Sequence, residues 1–415
     1  MELLLVTARW PLSAVHEFLD DEIHYLAGAF DQVTVAPMRP TAGLQVALPD
    51  NVVVDSSLAR HLVRFRRFST PASRMAVGVV SAGQRNPVGK GFTRAELLSS
   101  DSRRAAWLRQ CLIRRADSRS VMEWARDKQP PDLAYTFWLD AATAGLRAAW
   151  AHTPIVSRAH GGDLFAEAHG WSSIPYQREA LSACDLTASV SQVGARYLRA
   201  KFPDRAPQIV VRTLGIRDLG AVAEPADTSA IRLLSVSSVD GNKRVDLIAR
   251  VAAHLSCRGR WVQWTHIGAG PNLDQVRAFI AASPPNMQSR LLGQIPPSEV
   301  HRELLSGGYH AFLNLSLSEG APVSLMEAQC VGIPVVATRV GGSPEVCPPE
   351  LNELVCPDTD VQSIAAAVER AVVRDAGQRL ARREHWSATY NQATTYQRWS
   401  QELNQMALSG AGDRT

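Results

Sequence analysis

Short apolar runs recur along this chain, and between them lie longer stretches whose apolar residues return every three or four positions. The runs have the length of buried strands and the stretches have helical period. Strands are expected at 3–7, 32–37, 51–54, 133–137, 154–158 and 186–190, with helices at 17–30, near 173–183 and at 192–201. Residues 58–128 read as mostly helical, interrupted by the Gly/Pro-rich piece VSAGQRNPVGKG at 80–91, a loop by its turn chemistry. The segment 216–230, IRDLGAVAEPADTSA, is small, polar and poorly periodic, which marks it as a linker. From Ile231 to Val373 strand and helix alternate again. Residues 377–407 form a polar-aromatic helical tail carrying Trp386, Tyr390, Tyr396 and Trp399, and 408–415 is expected to be disordered. Alternation of this kind calls for parallel sheets covered by helices on both faces. At 415 residues the chain has room for two such domains, each with its own core.

The densest pattern lies at 311–347, AFLNLSLSEGAPVSLMEAQCVGIPVVATRVGGSPEVC. It reads as a strand at 311–316, a turn, a helix opened by Pro322, a stop at Gly332 and Pro334, and a strand at 335–338. A unit of this form leaves unpaired N–H groups at the helix start, beyond the carboxyl end of the strand, where phosphate binds. Two carboxylates, Glu319 and Glu327, sit in it eight positions apart. A glutamate in an anion site has to bind something other than the phosphate, and sugar hydroxyls are the natural candidate.

The spacing Glu319-x7-Glu327 in SEGAPVSLMEAQCVGIPVVAT, followed by GGSPEV, resembles the donor site of retaining glycosyltransferase family 4. IRLLSVSSVDGNKRVDLIARV, WTHIGAGPNLDQVR and LLGQIPPSEVHRELL resemble the family's preceding strands and turns. SRAHGGDLF and SVSQVGARYLRAKFP resemble the segments before its interdomain hinge. The resemblance implies a GT-B fold: two facing, Rossmann-like, doubly wound parallel-sheet α/β domains with a C-terminal helix crossing back to the first. On it, 1–215 is the acceptor domain, 216–230 the linker and 231–384 the donor domain, with helices at about 385–407 packing back on the first domain.

Glycosyl transfer puts negative charge on a leaving phosphate and positive charge on the sugar ring, so a catalyst needs donors at the one and a carboxylate at the other. Lys243 follows the strand at 231–237 and a DGN turn and opens a helix, a position from which its ammonium reaches a cleft. By resemblance it binds the diphosphate. The family often has an arginine where this chain has Ser238, and Arg244 is the candidate replacement. The helix start, Gly320, Ala321, Pro322, Val323, Ser324 and Leu325, completes the donor site with the N–H groups it leaves open. Glu319 is assigned to the donor sugar and Glu327 to the ribose hydroxyls. His160, after a strand end and before two glycines, is placed by the resemblance near the transferred sugar, where an imidazole hydrogen-bonds an oxygen or relays a proton. Asp163 supports the same loop, and Trp138 is an acceptor-side aromatic or core. Gly341 and Gly342 permit close approach of a ligand, and Glu345 matches a commonly acidic position or caps a helix. In place of the family's usual glycine-rich first turn the chain has TARWPLSAVHEF, with Glu17 and Phe18 opening the first helix.

The only Asp-x-Asp, Asp358 to Asp360, sits in a late turn and reads as a loop and helix cap. The basic route to phosphate neutralisation is better supplied, which predicts transfer from a nucleotide diphosphate sugar with no metal and no cofactor. Rival classes are a nucleotide-sugar epimerase or sugar phosphorylase on the same architecture, and a non-catalytic binding protein.

Net charge is +4, yet residues 60–119 alone carry an excess of eleven positive charges, so the rest is acidic by seven. LARHLVRFRRF at 58–68 and RRAAWLRQCLIRR at 103–115 interleave arginine with apolar residues at helical spacing, as an interfacial helix requires. The expected partner is an anionic membrane surface bearing a lipid-linked glycan acceptor. No nucleic-acid-binding signature is present. The opening MELLLVTARW lacks a basic leader and its apolar run is cut at Arg9, so a cytoplasmic protein, peripheral at the inner face of the plasma membrane, is expected. Six scattered cysteines without C-x-x-C spacing read as buried free thiols.

Overall fold

The computed structural model describes residues 1–12, 19–39, 43, 46–68, 103–374 and 377–412, without the side chains of 63–68, 103–106, 374 and 411–412. The chain divides into two units: Met1–Val190, Gly194–Arg212 and Tyr396–Thr415 in the first, Ser191–Val193 and Thr213–Thr395 in the second.

The first unit holds a seven-stranded sheet of β1 (Glu2–Thr7), β2 (Gln32–Pro37), β3 (Val52–Val54), β4 (Leu133–Thr136), β5 (Ile155–Ala159), β6 (Leu186–Ser189) and β7 (Ile209–Val211). The order is β3-β2-β1-β4-β5-β6-β7 and every pairing is parallel. The strands β1, β4 and β5 are buried almost throughout, which is why they read as continuous apolar runs. The last helix, Gln392–Gly412, brings Trp399, Leu403 and Ala407 into the same core as Leu3, Leu5 and Tyr135. Its Glu402 takes two hydrogen bonds from Arg212, at 2.5 and 2.6 Å.

The second unit holds β8 (Ile231–Val236), β9 (Val262–Ile267), β10 (Met287–Leu291), β11 (Ala311–Asn314), β12 (Val335–Thr338) and β13 (Glu353–Val355) in the order β10-β9-β8-β11-β12-β13. Its pairings too are all parallel. In each sheet the first three strands run outward to one edge and the next begins on the other side of the first, the order of a Rossmann sheet.

Several boundaries differ from the sequence expectation. Residues 216–230 are not a free linker but part of the second unit: Ala223 N–H donates to Val331, Ala226 N–H to Gly308, and Arg379 holds the Ala223 carbonyl at 2.6 Å. The tail is two helices, Arg379–Tyr390 and Gln392–Gly412, broken at Asn391, where the chain bridges to Ile216. Arg382 and Trp386 of the first of these are buried in the second unit, so only the part from Tyr396 onward joins the first. The helix continues through Gly412, where disorder was expected from 408, and residues 413–415 lie outside the described residues. All six cysteines are free thiols, but Cys257 and Cys356 are exposed rather than buried.

The expected loop 80–91, Glu17 and Phe18 lie outside the described residues, as does 69–102 of the basic stretch. Its flanks are helices, Ser57–Phe68 and Arg103–Arg126. Part of the face expected to meet a membrane is engaged within the unit. Trp107 donates its indole N–H to the Ser173 carbonyl at 2.7 Å, and Arg114 pairs with Asp140 at 2.9 Å. Among the described residues no helix is long and apolar enough to cross a membrane.

Candidate active site

Reversal of strand order between β8 and β11 opens a crevice beyond their carboxyl ends, and the two loops that leave these strands carry Lys243 and Glu319. The first loop is shaped by Asp240. Its carboxylate accepts from the N–H of Asn242 at 2.9 Å, the N–H of Lys243 at 3.0 Å and the Ser238 hydroxyl at 2.6 Å. Burial works against that carboxylate, but these hydrogen bonds outweigh it and hold its pKa below the usual carboxylate value. Asn242 then joins the two loops. Its amide donates to the Ser318 carbonyl at 3.1 Å and accepts from the Ser318 N–H at 3.0 Å, while its own carbonyl accepts from Leu317. With the loops fixed this way, Lys243 Nζ stands 2.7 Å from Glu319 Oε1. Asn314, the last residue of β11, donates to the same oxygen at 3.2 Å. Glu319 is buried, and the Lys243 side chain retains 24% exposure.

Gly341 and Gly342 are required by the backbone of this turn. Gly341 has φ +50°, and a Cβ on it would stand 1.7 Å from the Glu319 carbonyl oxygen. Gly342 donates to the Gly320 carbonyl at 3.0 Å, and a Cβ there would meet that oxygen at 2.2 Å. Any side chain at either position would push the Glu319–Gly320 backbone away.

Arg244, expected to join the donor site, holds backbone carbonyls in the free protein. It has φ +50° as the residue capping the helix Val245–Cys257. Its guanidinium donates to the carbonyls of Leu315 at 2.5 Å and Pro357 at 2.6 Å. Neighbours in sequence are thus used differently: Lys243 meets a carboxylate, and Arg244 ties three loops together. Ser238, where the family often has arginine, is bonded to Asp240.

The helix Val323–Cys330 starts where expected, capped by Pro322. Pro322 has no N–H to offer, and Leu325 donates its own to the Pro322 carbonyl at 3.1 Å. The N–H groups of Ala321, Val323 and Ser324 take no partner among the described residues, which leaves them as the open donors at the helix start. Two turns along, Glu327 Oε1 lies 3.3 Å from His301 Nε2. Glu345 accepts the N–H groups of Gln192 and Val193, both at 2.7 Å, within the second unit. Asp360 of the Asp-x-Asp turn accepts the N–H and hydroxyl of Ser363 at the start of the helix Val361–Arg374, as a cap does.

In the first unit, Trp138, His160 and Asp163 come together at the ends of β4 and β5. The His160 ring lies 4.7 Å from Phe137 and 4.6 Å from Trp138, centroid to centroid. Its Nε2 is 3.0 Å from the Phe137 carbonyl oxygen, which can only accept, so Nε2 carries the hydrogen and Nδ1 is the acceptor. Burial, helped by the Arg158 guanidinium, lowers the His160 pKa to about 3. The ring is therefore neutral at physiological pH, and the His160 side chain also accepts from the Asp163 N–H in a capping box. Asp163 braces the loop through the N–H groups of His160 at 2.5 Å and Leu139 at 2.9 Å, and burial raises its pKa well above the carboxylate range in spite of them. Behind them Arg158 and Glu22 form a wholly buried ion pair at 2.6 Å, joined by the Tyr135 hydroxyl at 3.1 Å.

Residues that sequence reasoning passed over are Asn242, Asn314, Phe137 and His301. The DGN turn carried a signal for Asn242, and the polar end of the AFLN strand one for Asn314. His301 is an ordinary helical position with no local mark.

Residues 222–388 match the family Glycosyl transferases group 1. The chain is 28% identical over 184 residues to the amylovoran biosynthesis glycosyltransferase AmsK of Erwinia amylovora, covering 43% of this chain and 45% of that protein. It is 33% identical over 147 residues to a phosphatidylinositol N-acetylglucosaminyltransferase of Arabidopsis thaliana, covering 35% and 32%. The chain thus spans less than half the length of these relatives. Among solved structures, the lipopolysaccharide outer core galactosyltransferase WaaB superposes over the whole of both chains with a TM-score of 0.63 at 16% identity, which shows the GT-B fold.

Proposed function

From the match of residues 222–388 to the group 1 glycosyl transferases, and from the GT-B fold of the chain, we propose that this protein moves a sugar from a nucleotide diphosphate sugar to a glycan acceptor, with retention at the anomeric carbon and without a metal. The observation that carries the proposal is the Lys243–Glu319 pair at the β8/β11 switch point, with the open N–H groups of Val323 and Ser324 on the next helix. In the donor complex Lys243 turns from Glu319 to the diphosphate and neutralises the charge that grows on the leaving oxygen. The helix start adds its N–H groups and its dipole. Glu319, still held by Asn314, faces the sugar and stabilises positive charge on the ring. Glu327 takes the ribose hydroxyls. Arg244 braces the loops.

A donor that binds the folded state alone raises its melting temperature. Of a panel of nucleotide diphosphate sugars, one should stabilise the protein and be consumed only when an acceptor is supplied. The product should keep the donor's anomeric configuration, and EDTA should change neither result. Consumption without acceptor would favour an epimerase or phosphorylase. Stabilisation with no turnover on any acceptor would favour a binding protein.

The relatives named for amylovoran biosynthesis and for the lipopolysaccharide core support a cell-surface polysaccharide as the pathway. The basic, apolar-studded stretch 60–119 supports a lipid-linked acceptor met at the cytoplasmic face of an anionic membrane. Replacing Arg64, Arg66 and Arg67 with glutamate should release the protein from phosphatidylglycerol vesicles in a flotation assay. Retention of the variant on the vesicles rules this contact out.

A further inference from the structure

The Glu327 carboxylate is mostly buried, its side chain 16% exposed, and its hydrogen-bond partner among the described residues is His301, at 3.3 Å. A carboxylate so far removed from water needs donors. An ionised carboxylate only accepts, so the hydrogen of this contact sits on His301 Nε2. One bond to Oε1 leaves Oε2, and the second lone pair of Oε1, free for two further donors. Two hydroxyls on neighbouring carbons fit that need.

His301 is well placed to fix which oxygen faces outward. It lies on the helix Pro297–Ser306, whose Val300 and Leu304 are buried. Further along that helix Glu303 is held by Arg290 at 3.0 Å and by the Tyr309 hydroxyl at 2.5 Å. The helix is therefore anchored independently of Glu327, and the rigid imidazole can serve as a fixed stop against which the more flexible glutamate side chain settles.

We propose that His301 is a positioning residue for ribose: it locks the Glu327 carboxylate in the one orientation that accepts both hydroxyls of the diol, and so makes the site selective for ribonucleotides over their 2′-deoxy forms. The inference rests on the assignment of Glu327 to the ribose. It predicts an effect on selectivity, which loss of packing alone does not produce, because packing serves both nucleotides equally.

The test measures dissociation constants by calorimetry for UDP, GDP and ADP and, for the tightest of them, its 2′-deoxy analogue. Wild-type protein should prefer the ribonucleotide by about tenfold, the equivalent of one good hydrogen bond. His301→Ala should reduce that preference to within about twofold, mainly by weakening ribonucleotide binding. His301→Gln, whose amide again offers an N–H, should restore most of it, and melting temperatures check that all variants are folded. A wild-type protein that binds none of the three, or a Glu327→Ala variant that keeps the wild-type preference, overturns the ribose assignment and this inference with it. Loss of the preference in Glu327→Ala but not in His301→Ala overturns the role of His301 alone.

Discussion

Glu319→Gln should lower turnover by about a hundredfold to a thousandfold, the range for removing one preorganised group that meets charge developing in a transition state, while leaving nucleotide binding intact or slightly tighter. The sign of the binding effect follows from the geometry. Glutamine fills the same space and can still accept from Asn314, so the turn between β11 and its helix should persist. What disappears is the negative charge 2.7 Å from Lys243 Nζ. In the free protein that charge competes with the diphosphate for the lysine. Without it the ammonium is available at no cost, and the leaving group should bind at least as well as before. A merely structural glutamate would give the opposite pattern, with affinity and melting temperature falling while turnover per bound donor stayed the same. Single-turnover kinetics beside calorimetry with the nucleoside diphosphate separate the two, and turnover equal to wild type removes Glu319 from the chemistry.

Lys243→Ala should weaken nucleoside diphosphate binding by about tenfold to a hundredfold, the range for a hydrogen bond to a charged group. The parent nucleoside, which has no phosphate, should bind as it does to wild type. The loss has two parts. One is the missing cation. The other is Glu319, which becomes a mostly buried carboxylate held only by the Asn314 amide and facing an anionic ligand. The double variant Lys243→Ala/Glu319→Gln removes the second part, so its diphosphate affinity should recover towards wild type by a measurable fraction. The departure from additivity reports the coupling of the pair. Equal diphosphate affinity in wild type and Lys243→Ala would exclude the lysine from the phosphate site. Additive effects in the cycle would mean that the contact seen in the free protein has no bearing on binding.

Much of the scaffold for these experiments is legible in the chain. A parallel strand buried on both faces has to be apolar from end to end, and helix starts and stops depend on residues a few positions away. Local pattern therefore determined β2 and β12 to the residue, the helix Gln192–Lys201, and the attachment of Lys243 and Glu319 to strand ends. It did not reveal β7 or β13, which have three residues each and are partly exposed, too short and mixed to show a period. Nor did it show where one unit ends, since the helix Gln392–Gly412 is continuous in period while its residues are divided between two cores.

What the tertiary structure alone decided is partnership. Lys243 and Arg244 are both basic and adjacent, and nothing in their spacing says that one meets Glu319 and the other the carbonyls of Leu315 and Pro357. The left-handed backbone at Arg244 makes that division. Gly341 is required by the carbonyl of a residue 22 positions earlier, and His301 meets a carboxylate 26 positions later. Periodicity reports which face of an element is apolar and reaches a few residues along the chain. Contacts across the ends of neighbouring strands depend on sheet order and register, and these are fixed only when all the strands are in place.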